Sequence, residues 1–186
     1  MYILGIIVGV ILLFGIWFVV TSNNLIAKKN RVKQCQSGIC VVLKQRNDMI
    51  PNLVASVKTY MGHENQTLTR IAELRSQASN IKNEQDLIRN GNELSALMPK
   101  LNVALENYPQ LKADTQFIRL QNSIEETELQ LQAIRRTYNA AVVEYNNYIE
   151  MFPSSFVASR KGHQLAELID IPEAEKQNVN VGELFK

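Results

Sequence analysis

The chain has 186 residues, 46% hydrophobic and 20% charged, with a net charge of +2, which fits one modest domain plus an additional segment. Four of its basic residues, Lys28, Lys29, Arg31 and Lys33, exceed that net charge, so the remainder is weakly acidic. A weakly acidic body without a basic stripe argues against nucleic-acid binding.

The additional segment comes first. Tyr2 to Thr21 contains no charged side chain and is almost wholly Ile, Leu, Val, Phe and Gly; roughly 20 such residues cross a bilayer core as one helix. A cleaved signal peptide is the rival reading. The length of the run, the lack of Lys or Arg before it, and Val20-Thr21-Ser22 as a poor small-x-small cleavage site all favour an uncleaved anchor. The four basic residues follow the span at once, and Lys and Arg collect on the cytoplasmic side. The expectation is a single-pass protein of the cell (inner) membrane, its body facing the cytoplasm. Gly5 and Gly9 form a GxxxG step inside the span, a spacing that lets two membrane helices approach and allows a homo-oligomer.

Beyond the basic cluster, Val32, Cys35, Ile39, Val42, Leu43, Ile50, Leu53, Val57 and Tyr60 recur at helical spacing. Pro51 is expected to bend or restart this helix, with Asp48 available as a cap. Arg46 falls on the same stripe, where a charge needs a carboxylate or a path to water. Cys35 and Cys40 are five residues apart with no CxxC, a pattern of packing in a reducing compartment. Gly62-His63-Glu64-Asn65 interrupts the pattern. A second helix offers Leu68, Ile71, Leu74 and Ala78; a third offers Leu87, Gly91, Leu94, Met98, Leu101, Leu105 and Tyr108, with Pro99 off the stripe as an expected kink and Tyr108-Pro109 as its end.

The longest element is the one against which the others must pack. From Phe117 through Leu120, Ile124, Thr127, Leu131, Ile134, Tyr138, Ala141, Tyr145 and Tyr148 to Phe152, steps of three and four alternate without a slip. Such a helix is roughly 54 Å long. Its opposite face carries Glu125, Arg135, Arg136, Glu144 and Asn147. Phe152-Pro153 stops it. A short helical turn over 156–159 and an apolar-ended tail with Val179, Val181, Leu184 and Phe185 follow. The resulting expectation is an all-α protein: an anchor over residues 1–22, an antiparallel up-and-down four-helix bundle over 23–159, and a tail over 160–186. The tail either folds back on the bundle or binds a partner.

The polar residues give structure before chemistry. His63-Glu64 lacks the second histidine of HExxH, so no metal is expected. Glu128 sits beside Thr127 of the long stripe and is expected to pair with Arg46 or Arg75, a structural network rather than an acid–base site. Tyr138-Asn139 and Tyr145-Asn146 recur one heptad apart, either fixing helix register or forming a polar ladder that binds a peptide. No glycine-rich phosphate loop or Ser-His-Asp set is legible, so no catalytic residue, cofactor or small-molecule substrate is expected.

Two ordered stretches carry a family resemblance. The first runs from Leu43 to Val54 (LKQRNDMIPNLV) with Val57-Lys58, Tyr60 and His63-Glu64. The second comprises Tyr108-Pro109, Leu111-Lys112-Ala113, Leu120-Gln121, Thr127-Glu128, Arg135-Arg136, Tyr138-Asn139, Val142, Tyr145-Asn146 and Phe152-Pro153. With the membrane segment, these positions make the chain resemble the bacterial LemA family over nearly its whole length. The resemblance implies one N-terminal membrane helix, an up-and-down four-helix bundle and no established enzymatic activity. It also hints at a partner in membrane protein quality control. The chain departs from the family pattern at Gln36, Gly38 and Cys40, at Pro99, and at Lys161-Gly162-His163. Two functions follow as expectations: a membrane-anchored adaptor or scaffold whose partner is a membrane or membrane-associated protein, or a self-assembling structural membrane protein.

Overall fold

A computed structural model describes residues 1–61 and 66–169. Among these the structure is all-helical, with α1 Tyr2–Met61, α2 Gln66–Ala78, α3 Glu84–Leu105, α4 Pro109–Lys112, α5 Thr115–Glu150 and α6 Ser154–Arg160. The His63-Glu64 pair and the apolar tail end at Val179, Val181, Leu184 and Phe185 lie outside the described residues.

The apolar run and the first soluble stripe are one helix. Between Val20 and Val32 there is no glycine or proline to end a helix, so the change from apolar to basic side chains leaves the backbone ladder intact. Of the two outcomes expected at Pro51, a bend or a restart, the restart does not occur: α1 continues through it, and Asp48 is an interior position rather than a cap. The cost of Pro51 is one missing N–H within an otherwise hydrogen-bonded turn.

The other helix ends have local causes. The Asn83 side chain accepts from Gln85 N at 3.0 Å and caps α3, while Glu84 and Asp86 place acidic charge against the helix N-terminus. Pro99 lies inside α3. Pro109 occupies the first turn of α4, where a missing N–H costs nothing. Asp114 Oδ1 accepts from Gln116 N and Phe117 N at 2.8 and 3.3 Å and so opens α5.

The chain divides into two compact units, and α1 and α5 contribute residues to both. One is built from Met1–Gln36 and Arg136–Ile169. In it the apolar helix up to Val20 is unburied, with Val10 and Leu13 retaining 60% and 69% of their exposure. Packing begins at Thr21, Ser22 and Leu25 and involves Val32 and Cys35 of α1, Tyr138, Val142 and Tyr145 of α5, and Val157 and Ala158 of α6. The described part of the other unit lies within Ser37–Arg135. Its core joins Ile50, Leu53 and Val57 of α1 to Leu68, Ile71 and Leu74 of α2, to Leu94, Leu101 and Leu105 of α3, to Leu111 of α4, and to Phe117 and Ile124 of α5.

Candidate functional site: a buried charge network and an asparagine ladder

Inside the Ser37–Arg135 unit, Arg46 is completely buried. Its Nη1 donates to Glu128 Oε2 at 2.6 Å and to Ser95 Oγ at 2.7 Å, and its Nη2 donates to the Gly91 carbonyl at 2.8 Å. Ser95 Oγ in turn donates to Glu128 Oε1 at 2.7 Å. Arg135 Nη1 lies 3.9 Å from the same Oε1 and its Nη2 donates to Asn92 Oδ1 at 2.7 Å. Burial pulls the Arg46 guanidinium down from its ordinary value, and the Glu128 carboxylate pulls it back up. α1, α3 and α5 thus meet through one carboxylate and two guanidinium groups.

Gly91 makes room for this arrangement. A Cβ there would strike Leu43 Cδ2 and lie 3.1 Å from Leu43 Cδ1, closing the approach of α1 to α3. Arg75 takes no part in the network. It is exposed on α2 and lines a surface groove with Cys40, Lys44 and Asp48. Cys35 is buried and Cys40 half-buried, both as free thiols, and burial pushes the Cys40 thiol up, away from the reactive thiolate. Arg135, assigned from the sequence to the outer face of the long helix, is buried instead. A signal was present: Glu128 and Arg135 are one heptad apart and each follows a stripe residue, Thr127 or Ile134.

In the other unit α5 presents a ladder of neutral polar groups. Asn139 Nδ2 donates to the Ile169 carbonyl and its Oδ1 accepts from Ile169 N, both at 2.9 Å. Asn146 does the same to Ala166, again at 2.9 Å in each direction. Tyr138 donates its hydroxyl to the Glu167 carbonyl at 3.0 Å, and the Tyr145 hydroxyl meets His163 Nδ1 at 2.9 Å. Geometry explains the register. Asparagines one heptad apart are separated by about 10.5 Å along a helix, and three residues of extended chain cover about 10 Å. Residues 163–169 therefore run extended and antiparallel to α5, each asparagine gripping both main-chain groups of one residue.

The extended segment is delivered by the end of α6. Gly162 has φ +66°, the left-handed conformation glycine adopts without a Cβ clash. Its N–H reaches Ser159 O and that of His163 reaches Ala158 O, each at 3.1 Å, closing a Schellman turn. Lys161, Gly162 and His163 form this turn. Glycine just past a helix was its cue in the sequence.

The basic residues after the apolar run divide. Lys28 pairs with Glu144, holding that carboxyl below its ordinary range, and lies 5.3 Å from the Tyr148 ring centroid. Lys29, Arg31 and Lys33 are exposed, Arg31 donating to Gln34 Oε1 at 3.0 Å. Gly5 and Gly9 have open space where a Cβ would stand.

The chain is similar to a curated relative, Protein LemA of Metamycoplasma hominis, at 27% identity over 178 residues, covering 94% of this chain and 81% of the relative. The LemA family pattern itself matches residues 35–182, which takes in the buried network and the asparagine ladder alike. With most of its length inside that match, this chain belongs to the LemA family.

Proposed function

We propose that this protein is a single-pass membrane adaptor or scaffold whose helical body, an antiparallel up-and-down four-helix bundle, faces the cytoplasm and binds a membrane or membrane-associated protein without catalysing a reaction. The observation that carries this reading is α1: one unbroken helix in which residues 2–20 are apolar and exposed, apart from half-buried Gly9, Trp17 and Phe18, while Leu25, Ile39, Leu43 and Leu53 are packed. A helix of that kind in water would expose a large apolar surface; in a bilayer it is a mount. The exposed Lys29, Arg31 and Lys33 immediately follow, which supports cytoplasmic orientation. Confinement to a membrane layer raises effective concentration, so a weak contact suffices. The partner-binding element is the tail beyond Ile169, which the asparagine ladder fixes at its root, and a role in membrane protein quality control fits such a mount.

Capture from native membranes by the full chain and by a chain ending at Ile169 tests the reading. The shorter chain is expected to lose its partner and keep its melting temperature; retention of the same partner overturns the assignment of the tail. Protease added outside spheroplasts is expected to leave the body intact. A second reading, self-assembly through the span, draws support from the open space beside Gly5 and Gly9. Mass measurement in detergent, with Gly5→Ile and Gly9→Ile as controls, separates the two.

A further inference from the structure

We propose that the corner between α5 and α6 is a second membrane contact, in which Met151, Phe152 and Phe156 enter the headgroup–acyl boundary of the leaflet that α1 leaves. The inference rests on the reading of residues 2–20 as a bilayer span. From Met151 to Ser159 the chain carries no charge. Met151, Phe152 and Phe156 retain 63%, 88% and 53% of their exposure, whereas Val157 and Ala158 beside them are completely buried. One face of α6 is spent on packing, and its large aromatic residue is turned outward.

The position of the corner along α1 identifies the occupant. Phe152, Pro153 and Phe156 line one cleft of about 370 Å³ with Phe14 and Trp17. Those two residues precede Thr21, where the apolar run ends, by about 10 and 6 Å of helix. The medium that surrounds Phe14 and Trp17 therefore surrounds the corner. An apolar cleft of this size would hold water without polar partners, whereas acyl chains fill it. A depth of roughly 5–10 Å is that of interfacial amphipathic segments, and aromatic rings favour this zone.

Part of the turn's backbone is satisfied internally, which lowers the cost of facing hydrocarbon. Met151 N donates to Asn147 O at 2.8 Å, Ser155 N to Met151 O at 2.9 Å and Phe156 N to Pro153 O at 3.3 Å. The Ser154 hydroxyl also donates to Met151 O, and Pro153 has no N–H to satisfy. Charge flanks this stretch at Glu150, directly before Met151, and returns at Arg160 and Lys161, about 10 Å of helix beyond the tip.

Trp17 is the chain's one tryptophan and serves as the reference probe. The full chain, reconstituted in phosphatidylethanolamine–phosphatidylglycerol vesicles, is compared with Trp17→Phe/Phe156→Trp and Trp17→Phe/Phe152→Trp. Phe152 is so exposed that its replacement does not disturb packing. In each variant the introduced indole is expected to emit to the blue of an aqueous indole and to be quenched by lipids brominated at shallow acyl positions. Aqueous emission without quenching overturns the proposal if wild-type Trp17 is quenched. If Trp17 escapes quenching as well, the anchor reading fails with it. Blue-shifted emission that bromolipid does not quench means protein covers the corner, and also overturns it.

Discussion

The two units hold their polar groups in opposite ways. Within Ser37–Arg135 a fully buried arginine is fastened by a carboxylate, a hydroxyl and a carbonyl, all on side chains or backbone of other helices. Within the unit containing Arg136–Ile169, uncharged amides on the surface of α5 hold the main chain of an extended segment. The first arrangement is costly to disturb, because any lost partner leaves a desolvated charge. The second exchanges readily with water, since each group it ties down is neutral and partly exposed. The first is therefore expected to resist opening more strongly than the second.

The largest effect is expected where the first arrangement is broken. Glu128→Ala removes the carboxylate from Arg46 and from Arg135 together. Losing one partner of a buried pair costs about 3–5 kcal/mol, and the Glu128 side chain, 21% exposed, places the loss near the lower end. Guanidinium unfolding of the full chain in mild detergent is expected to show the midpoint falling clearly. Arg46→Met combined with Glu128→Leu should recover part of it, because the Arg46 desolvation cost disappears while Arg135 stays charged and buried with its bond to Asn92. An unchanged midpoint in Glu128→Ala would make the two units alike.

The same contrast explains what could be read in advance. The stripe from Phe117 to Tyr145 was legible because α5 buries one continuous line, and Phe117, Ile124, Leu131, Tyr138 and Tyr145 are buried. Periodicity follows one line only. It therefore missed Ile88, Asn90 and Ser95 on α3, buried beside the expected stripe, and it put Arg135 on the wrong face. The continuity of α1 through Thr21 was hidden because a change of side-chain polarity marks a change of solvent, not of backbone. The repeated Tyr-Asn pair was visible as a pattern, but its partner was not: an extended segment read through its main chain carries no side-chain period.

An intermediate effect is expected at the ladder. Asn146→Ala removes both main-chain bonds to Ala166, a local loss of about 1–2 kcal/mol. Exchange of the Ala166 amide is expected to accelerate about tenfold, with Asn139→Ala acting likewise on Ile169. The global midpoint should stay near wild type, because the segment opens without unfolding the helices. A global loss as large as that of Glu128→Ala would show that the segment belongs to the core, and would erase the distinction between the units.

The smallest effect separates the two arrangements by pH. His163 meets the Tyr145 hydroxyl through Nδ1, and burial, followed by Lys29 and Lys161, holds its imidazole below the ordinary 6.5. With the segment released, the imidazole titrates near its ordinary value. Above pH 6.5 both states are neutral and docking is at full strength. As pH falls from there through the lower docked value, the released state takes up the proton first, so docking weakens; below the docked value it changes no further. The effect is at most a few-fold in opening, because the ring is partly exposed and its charge is screened. Amide exchange at Ala166 measures it, with His163→Gln at each pH correcting for the intrinsic rate. Wild type is expected to open more than the variant as pH drops below neutrality, while the Arg46 network, whose guanidinium does not titrate in this range, keeps amides of α3 unchanged. An identical pH response in His163→Gln would mean that the imidazole does not contribute to holding the segment.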